Sequence, residues 1–449
     1  MNRREFVSLL GTAASTHIFG QEAATKLPAR AITSGPKHHF FGYYDKCPWD
    51  KTGRYHLSME IDFCDRQPKT GEELTLGMVD LKDKDRYSPF DKTAAWCWQQ
   101  GTMLQWLGSA PDKEVVYNSV ADKEYVAIVR DVHSNKTRTL PRPIYALSND
   151  GKQAVSLPFD RLQRLRPGYG YCALPEKFPN DPAPEKDGIW WMDMSTGKHE
   201  LVVPTAKLAK NKPDERFAGS HHWMNHLQFN PSGTRFLFLH RWRVFEKPWM
   251  TRLYTCKPDG SDLRLTWDTG MVSHFDWRDD ETILAWVKTK DQGNKFCLID
   301  LEGKSTVLGG DVLTSDGHCS YSPDRKWILN DTYPDKKRLQ WLMLFNPKTG
   351  RRYDLNQFHL PPMLTGPFRC DLHPRWNRDG TQVCIDSGHG ETRQVYVLDV
   401  NEIVRASCSL LAPREGSETS SWPETSLPAQ VPSPSRGSGD LAVAERGGD

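Results

Sequence analysis

The strongest constraint on the fold is a unit that recurs along the chain. A large apolar residue, a polar turn and an alternating apolar run follow one another in "PWDKTGRYHLSME", "QWLGSAPDKEVVYNS", "YALSNDGKQAVSL", "LQFNPSGTRFLFLH", "FDWRDDETILAWV", "CSYSPDRKWILND" and "PRWNRDGTQVCIDS". Each copy leads into a third run, such as "GIWWMDMSTGK" or "RQVYVLDVNE", and most close on a fourth, such as "KTRTL", "KHELVV" or "RRYDL". Alternation of period two, rich in β-branched and aromatic residues and bounded by Gly, Asp and Pro turns, is the pattern of strands. A unit that cannot bury its own apolar face must stack on its neighbours, so recurrence at a spacing of roughly 40–80 residues means a repeat architecture. Seven units of four strands predict an all-β fold, a seven-bladed β-propeller of four-stranded antiparallel blades, over residues 31–405. Several separate sandwiches would need linkers, and the pattern offers none.

The flanks read differently. Arg3 and Arg4 precede Phe6 and a mildly apolar stretch to about Gly20, the pattern of a twin-arginine export signal, so residues 1–30 are expected to be signal and leader. The protein is then expected in the periplasm or outside the cell. No later run is long enough for a membrane-spanning helix, so no membrane partner is expected beyond the signal. Residues 406–449 are rich in Ser, Pro and Gly and predict a disordered tail. A net charge of +2 gives no bulk attraction to nucleic acid, and any anion must be recognised locally. The ten cysteines include no C-x-x-C, and Cys256, Cys297 and Cys384 sit in strand-like runs as buried thiols would. A monomer is expected.

Histidine occupies one register of the repeat. Three residues before the reference position of each unit (Trp49, Trp106, Leu147, Phe229, Trp277, Tyr321, Trp376) stand Lys46, Met103, Ile144, His226, His274, His318 and His373. Four consecutive blades thus present histidine where the innermost strand begins, and the imidazoles should converge at one mouth of the central channel. Such a group can move protons near neutral pH or hold a divalent transition metal. The alternative is structural, with each imidazole bridging strands. Cys319 should point away from its neighbour His318 and pack.

The same mouth should collect the loops between second and third strands. These carry Arg161, Arg164, Arg166, Tyr169 and Tyr171 in blade three, and His240, Arg241 and Arg243 in blade four. His389 lies in the corresponding loop of blade seven, while His38 and His39 precede blade one and His221 and His222 lead into blade four. Arginine forks hold carboxylate or sulfate, and flat rings stack on sugars, so an anionic oligo- or polysaccharide is the expected partner. A solvated basic rim is the alternative.

The segments "HLQFNPSGTRFLFLHRW", "SHFDWRDDETILAW", "GHCSYSPD" and "DLHPRWNRDGTQVCIDSGHG" resemble those of oligogalacturonate lyases, over roughly Ser220 to Val400. The repeat turns also resemble TolB-like (WD-like) propellers. The first resemblance implies a polysaccharide lyase, a seven-bladed propeller in which blade-start histidines bind manganese and another is the base. On that implication His226 is the base and His274 and His373 are metal ligands, with His318 joining them around a divalent metal (Mn, Zn or Ca). Arg375 and Cys370 stand where the family pattern would place a histidine and an amide. The implied chemistry is β-elimination at a uronic acid. Catalytic candidates are His226, His222 and Tyr169; substrate-binding candidates are Arg241, Arg369, Arg166, Tyr171 and His39. Ulvan lyases are propellers with similar residues, so the polysaccharide stays open. A glycoside hydrolase built on Asp371, Asp386 or Glu391 and a non-catalytic propeller binding glycan or protein remain alternatives.

Overall fold

The computed structural model describes residues 26–409, with side chains to Ala406. Residues 1–25 of the expected signal and leader, and the expected tail beyond residue 409, lie outside the described residues; the first residues expected in the tail, 406–409, instead end a helix, Asn401–Ser409. Between the two ends stand seven four-stranded antiparallel sheets, as the repeat predicts. The first six follow chain order, running from His38–Phe40 through Arg351–His359. The seventh takes three strands from Arg375–Trp376, Gln382–Ser387 and Gln394–Asp399, and its fourth, Arg30–Ala31, from the other end of the chain. Pairing of Arg30 with Val397 and of Ala31 with Tyr396 closes the ring. An open edge strand invites pairing with another chain, and this closure covers one.

Local chemistry fixes the blades. In six of them the third strand ends in Asp or Asn, whose side chain accepts the backbone N–H two residues on: Asp80, Asp131, Asp193, Asp300, Asn346 and Asp399. That side chain imitates a backbone turn; it tightens the hairpin after the first five, and after Asp399 it leads into the helix Asn401–Ser409. Alternate residues of the second and third strands then face neighbouring blades, as Leu237, Leu239 and Leu253 do against Phe275, Ile283 and Ala285. Nine cysteines are unpaired among the described residues, and Cys319 is buried beside Leu284 and Tyr321, as its register requires.

The segment after the first strand of blade one leaves the ladder and crosses the channel. Phe41, Tyr43 and Tyr44 are all buried there. Gly42 makes the crossing possible: its φ is +122°, and a Cβ would stand 2.9 Å from the carbonyl of Gln100. Arg375 pins the segment by donating to the carbonyls of Gly42 and Tyr43, while the Asp386 carboxylate accepts the backbone N–H of Phe41. Arg375 and Asp386 also pair at 2.9 Å with no exposure. The arginine that departs from the family pattern is therefore a structural clamp.

Candidate active site

The four register histidines meet. Ring centroids lie 4.1 Å apart for His274 and His318, 4.3 Å for His318 and His373, and 6.5 Å for His226 and His274. Backbone irregularity turns two of them inward. His226 and His373 have φ of +53° and +42°, a region that costs a non-glycine residue about 1–3 kcal/mol. In blade four the pairing of first and second strands slips between Asn225 and Gln228, so His226 stands off the ladder.

Tyr43 from the crossing segment fills the space between these rings. It stacks on His226 at 5.0 Å and 9°, and lies 5.1 Å from His373 and 6.0 Å from His318. Its hydroxyl is 3.3 Å from Nε2 of His226. On the other ring edge, Nδ1 of His226 faces the Tyr145 hydroxyl at 3.3 Å and the Gln100 amide at 3.4 Å. Burial, then the charge of Arg241, lowers the His226 pKa well below the ordinary imidazole value, so the ring is neutral near pH 7. Burial holds the Tyr43 phenol well above its ordinary value. Sequence reasoning missed Tyr43. "FFGYYDK" carries an aromatic-rich break in the ladder around a glycine, but nothing in it says which tyrosine turns inward.

On one side of Tyr43 the histidines are backed by carboxylates. His318 sets Nδ1 2.9 Å from Asp331, and His274 sets Nδ1 3.0 Å from Asp316. A carboxylate on Nδ1 favours the tautomer whose Nε2 lone pair is free, the usual support of a metal-ligating imidazole. Nε2 of His318 and both ring nitrogens of His373 are buried without a hydrogen-bond partner. His318, His373 and Asp371 offer ligand atoms all within 4.8 Å of one another. These residues fit a divalent metal. The third member is Asp371, whereas His274 was expected there; the Nε2 of His274 instead faces the Tyr333 hydroxyl at 3.5 Å. "DLH" holds the missed signal, since residues two apart on an extended strand share a face.

On the other side are arginines. Arg241 is 4% exposed, and its Nε and Nη1 have no hydrogen-bond partner. Arg166 stacks over Tyr169 at 4.2 Å and Trp249 at 4.4 Å. Among the described residues neither guanidinium is paired with an acid. Tyr169 lies 5.7 Å from His226, ring to ring. Burial pushes the Tyr169 phenol up, but the charges of Arg369 and Arg166 outweigh it and bring its pKa below the ordinary phenol value.

Four expectations need correction. Arg369 is occupied: it forks onto Asp371 at 3.0 and 2.7 Å and donates to the Tyr169 hydroxyl at 3.0 Å, because an acid two residues away is its nearest anion. Tyr171 is fully buried, stacked 4.1 Å from Phe159 with its hydroxyl held by Asn118, and offers no surface to a ligand. His222 pairs with His240 at 3.0 Å and packs on Phe217, outside the four-ring cluster. His39 is held in blade one between Gln394 and Glu60. Cys370, at the expected amide position, packs with Leu360 and Leu364.

The fold is similar to that of two solved oligogalacturonate lyases. One, in complex with manganese, matches with a TM-score of 0.61 and 15% identity over 86% of this chain and 96% of that one. The other, from Vibrio parahaemolyticus, matches with a TM-score of 0.58 and 12% identity over 86% of this chain and all of that one (100%). TolB from Acinetobacter baumannii is a weaker match, with a TM-score of 0.36 and 15% identity over 63% of this chain and 59% of that one. At these identities the likeness is one of fold. Neither a protein-family model nor a curated protein sequence matches the chain.

Proposed function

We propose that this mouth is the active site of a lyase that cleaves uronic-acid-containing oligo- or polysaccharides by β-elimination. The observation that carries the reading is a neutral buried imidazole, His226, beside two guanidinium groups, Arg166 and Arg241, that have no acidic partner among the described residues. Two adjacent cations, Arg241 buried and Arg166 half-buried, call for an anion, and a uronate carboxylate fits. Neutralising that carboxylate makes the C5 hydrogen acidic. His226 takes the C5 proton. The electron pair forms the C4–C5 double bond as the C4–O bond breaks, and Tyr169, acidified by its arginines, protonates the departing oxygen.

His318, Asp371 and His373 would hold a divalent ion, which when bound supplies a Lewis acid for a sugar oxygen. The likeness in fold to oligogalacturonate lyases, one of them a manganese complex, supports the reading. The twin-arginine start is consistent with export to where acidic polysaccharides are met, and the protein is read as acting there as a monomer. The hydrolase alternative is disfavoured because Asp386 is consumed by Arg375 and Arg393 and Asp371 by Arg369.

Incubation with polygalacturonate, ulvan and other uronate polymers tests the proposal. Lyase action gives an unsaturated product absorbing in the ultraviolet. New reducing ends without that absorbance, or no reaction on any of them with metal supplied, would overturn it.

A further inference from the structure

The loop that follows Arg241 in blade four, residues 244–249, joins the second strand to the third at the mouth. Among the described residues only three large hydrophobic side chains are exposed, and two are on this loop: Phe245 at 44% and Trp249 at 38%. Each is backed by positive charge. Behind Trp249 lie Arg166 at 4.4 Å and Arg241 at 5.8 Å, and beside Phe245 lie Arg164 at 5.5 Å and Arg243 at 5.6 Å. Arg164 pairs with Glu176, so among the described residues Phe245 has one guanidinium without an ion pair beside it, Arg243, and Trp249 has two, Arg166 and Arg241. Arg166 is the link to the chemistry, since the same guanidinium covers the Tyr169 ring at 4.2 Å.

We propose that Trp249 is the platform of a further acidic-sugar subsite, one residue out from the bond that is cleaved, with Phe245 marking its outer end. This rests on the reading of the mouth as a uronate lyase and adds to it a preference for longer chains. One face of the indole is taken by the Arg166 guanidinium, and the other is open to the C–H face of a pyranose. The cations behind the ring favour a sugar carrying a carboxylate over a neutral one. A bare hydrophobic contact with a protein partner would not need one arginine stacked on the ring and a second within 5.8 Å of its centre.

The test is calorimetric titration of the full-length protein, made inactive by His226→Ala, with galacturonate oligomers of two to five units and with neutral gluco-oligomers. Turnover of the same oligomers by the active protein is measured in parallel. Affinity is expected to rise with the length of the acidic oligomers. Adding Trp249→Ala should weaken the longer ones on the order of tenfold and flatten that rise, while Trp249→Phe restores most of it. If the acidic oligomers bind and are cleaved but Trp249→Ala leaves the length dependence as it was, the subsite is wrong and the lyase reading stands. If neutral oligomers bind as tightly, the charge argument fails. If no uronate binds or is cleaved at all, both readings fall together.

Discussion

Replacing Arg241 by methionine removes a guanidinium that the unliganded fold holds at a cost. Arg241 is 4% exposed and has two nitrogens without partners. Burial first, then the neighbouring Arg166, lowers its pKa to about 9. Each factor of ten in proton affinity is worth about 1.4 kcal/mol, which sets an upper figure of ~5 kcal/mol for the penalty. The sign follows from the direction. A base with a depressed folded pKa loses stability as the pH falls from its unfolded value to its folded one, so at pH 7 the whole penalty is present. Methionine keeps the aliphatic packing without the charge, and relief of a poorly paired buried charge is commonly worth about 1–4 kcal/mol. The variant should therefore melt a few degrees higher than the wild type. Turnover should move the other way, falling by about 10²–10³ with the loss of one charge-stabilising donor. Thermal unfolding with and without a galacturonate oligomer, beside initial rates from the ultraviolet absorbance, reads both. In the wild type a ligand at a hundred times its Kd adds about 2.7 kcal/mol, and in the variant most of that gain disappears. A variant that is less stable and still turns over would make Arg241 a structural residue and refute the reasoning.

Three further outcomes follow from the same geometry. Since burial and Arg241 lower the His226 pKa well below 6.5, kcat/KM should stay level as the pH falls through 6.5 and decline only below it; a decline centred at or above 6.5 would remove His226 as the base. Asp371→Asn and His373→Ala should each abolish stoichiometric uptake of a divalent metal, read by elemental analysis after reconstitution, together with the rise in melting temperature that metal gives the wild type; undiminished uptake would place the ion elsewhere. Arg375→Met leaves Asp386 buried without its closest partner and should cost about 3–5 kcal/mol in urea unfolding, whereas a loss under 1 kcal/mol would mean that the pair does not clamp the crossing segment.

The fold was legible because a propeller is written once per blade. The alternation, the turns and the histidine register are local patterns, and local patterns survive in sequence. Candidate site residues were legible where they followed that register or sat on loops that the repeat places together. His226, His318 and His373 came from counting three residues back from an aromatic, and Arg166, Tyr169 and Arg241 from knowing which loops share a mouth. Tyr43 was not in view as a site residue, and Asp371 was in view only as a hydrolase carboxylate, not beside the metal-binding histidines. Tyr43 reaches the cluster through a segment that leaves the ladder, and its direction depends on a glycine with φ of +122° and on clamps from Arg375 and Asp386 more than 300 residues away in the chain. Arg369, His222 and Tyr171 share one feature that the repeat pattern does not carry. Each found a partner inside the protein, and no sequence pattern announces a side chain already satisfied by Asp371, His240 or Asn118.

Electrostatically the mouth has two unlike halves, and the unlikeness is what assigns the roles. On one half, Asp316, Asp331 and Asp371 stand beside His274, His318 and His373 with the guanidinium of Arg369 on Asp371 alone, so carboxylates are in excess and a dication would balance them. On the other, Arg166 and Arg241 stand without an acid among the described residues, so positive charge is in surplus and an anion would balance it. The uronate of the proposed reaction would present a carboxylate to one side and ring oxygens to the other, in keeping with this polarity. The groups between them are sorted by the same fields. His226 is driven toward its neutral form by burial and by the arginines, and so can accept a proton. Tyr43 is driven up by burial and stays protonated, which makes it a holder of the His226 ring. Tyr169 has its phenol lowered by Arg369 and Arg166 against its own burial, so it is the tyrosine better able to give up a proton. Groups whose environments push their proton affinities apart in this way are the ones that divide acid from base. The arginines that would hold the substrate thus also set which of its neighbours takes the proton and which returns one.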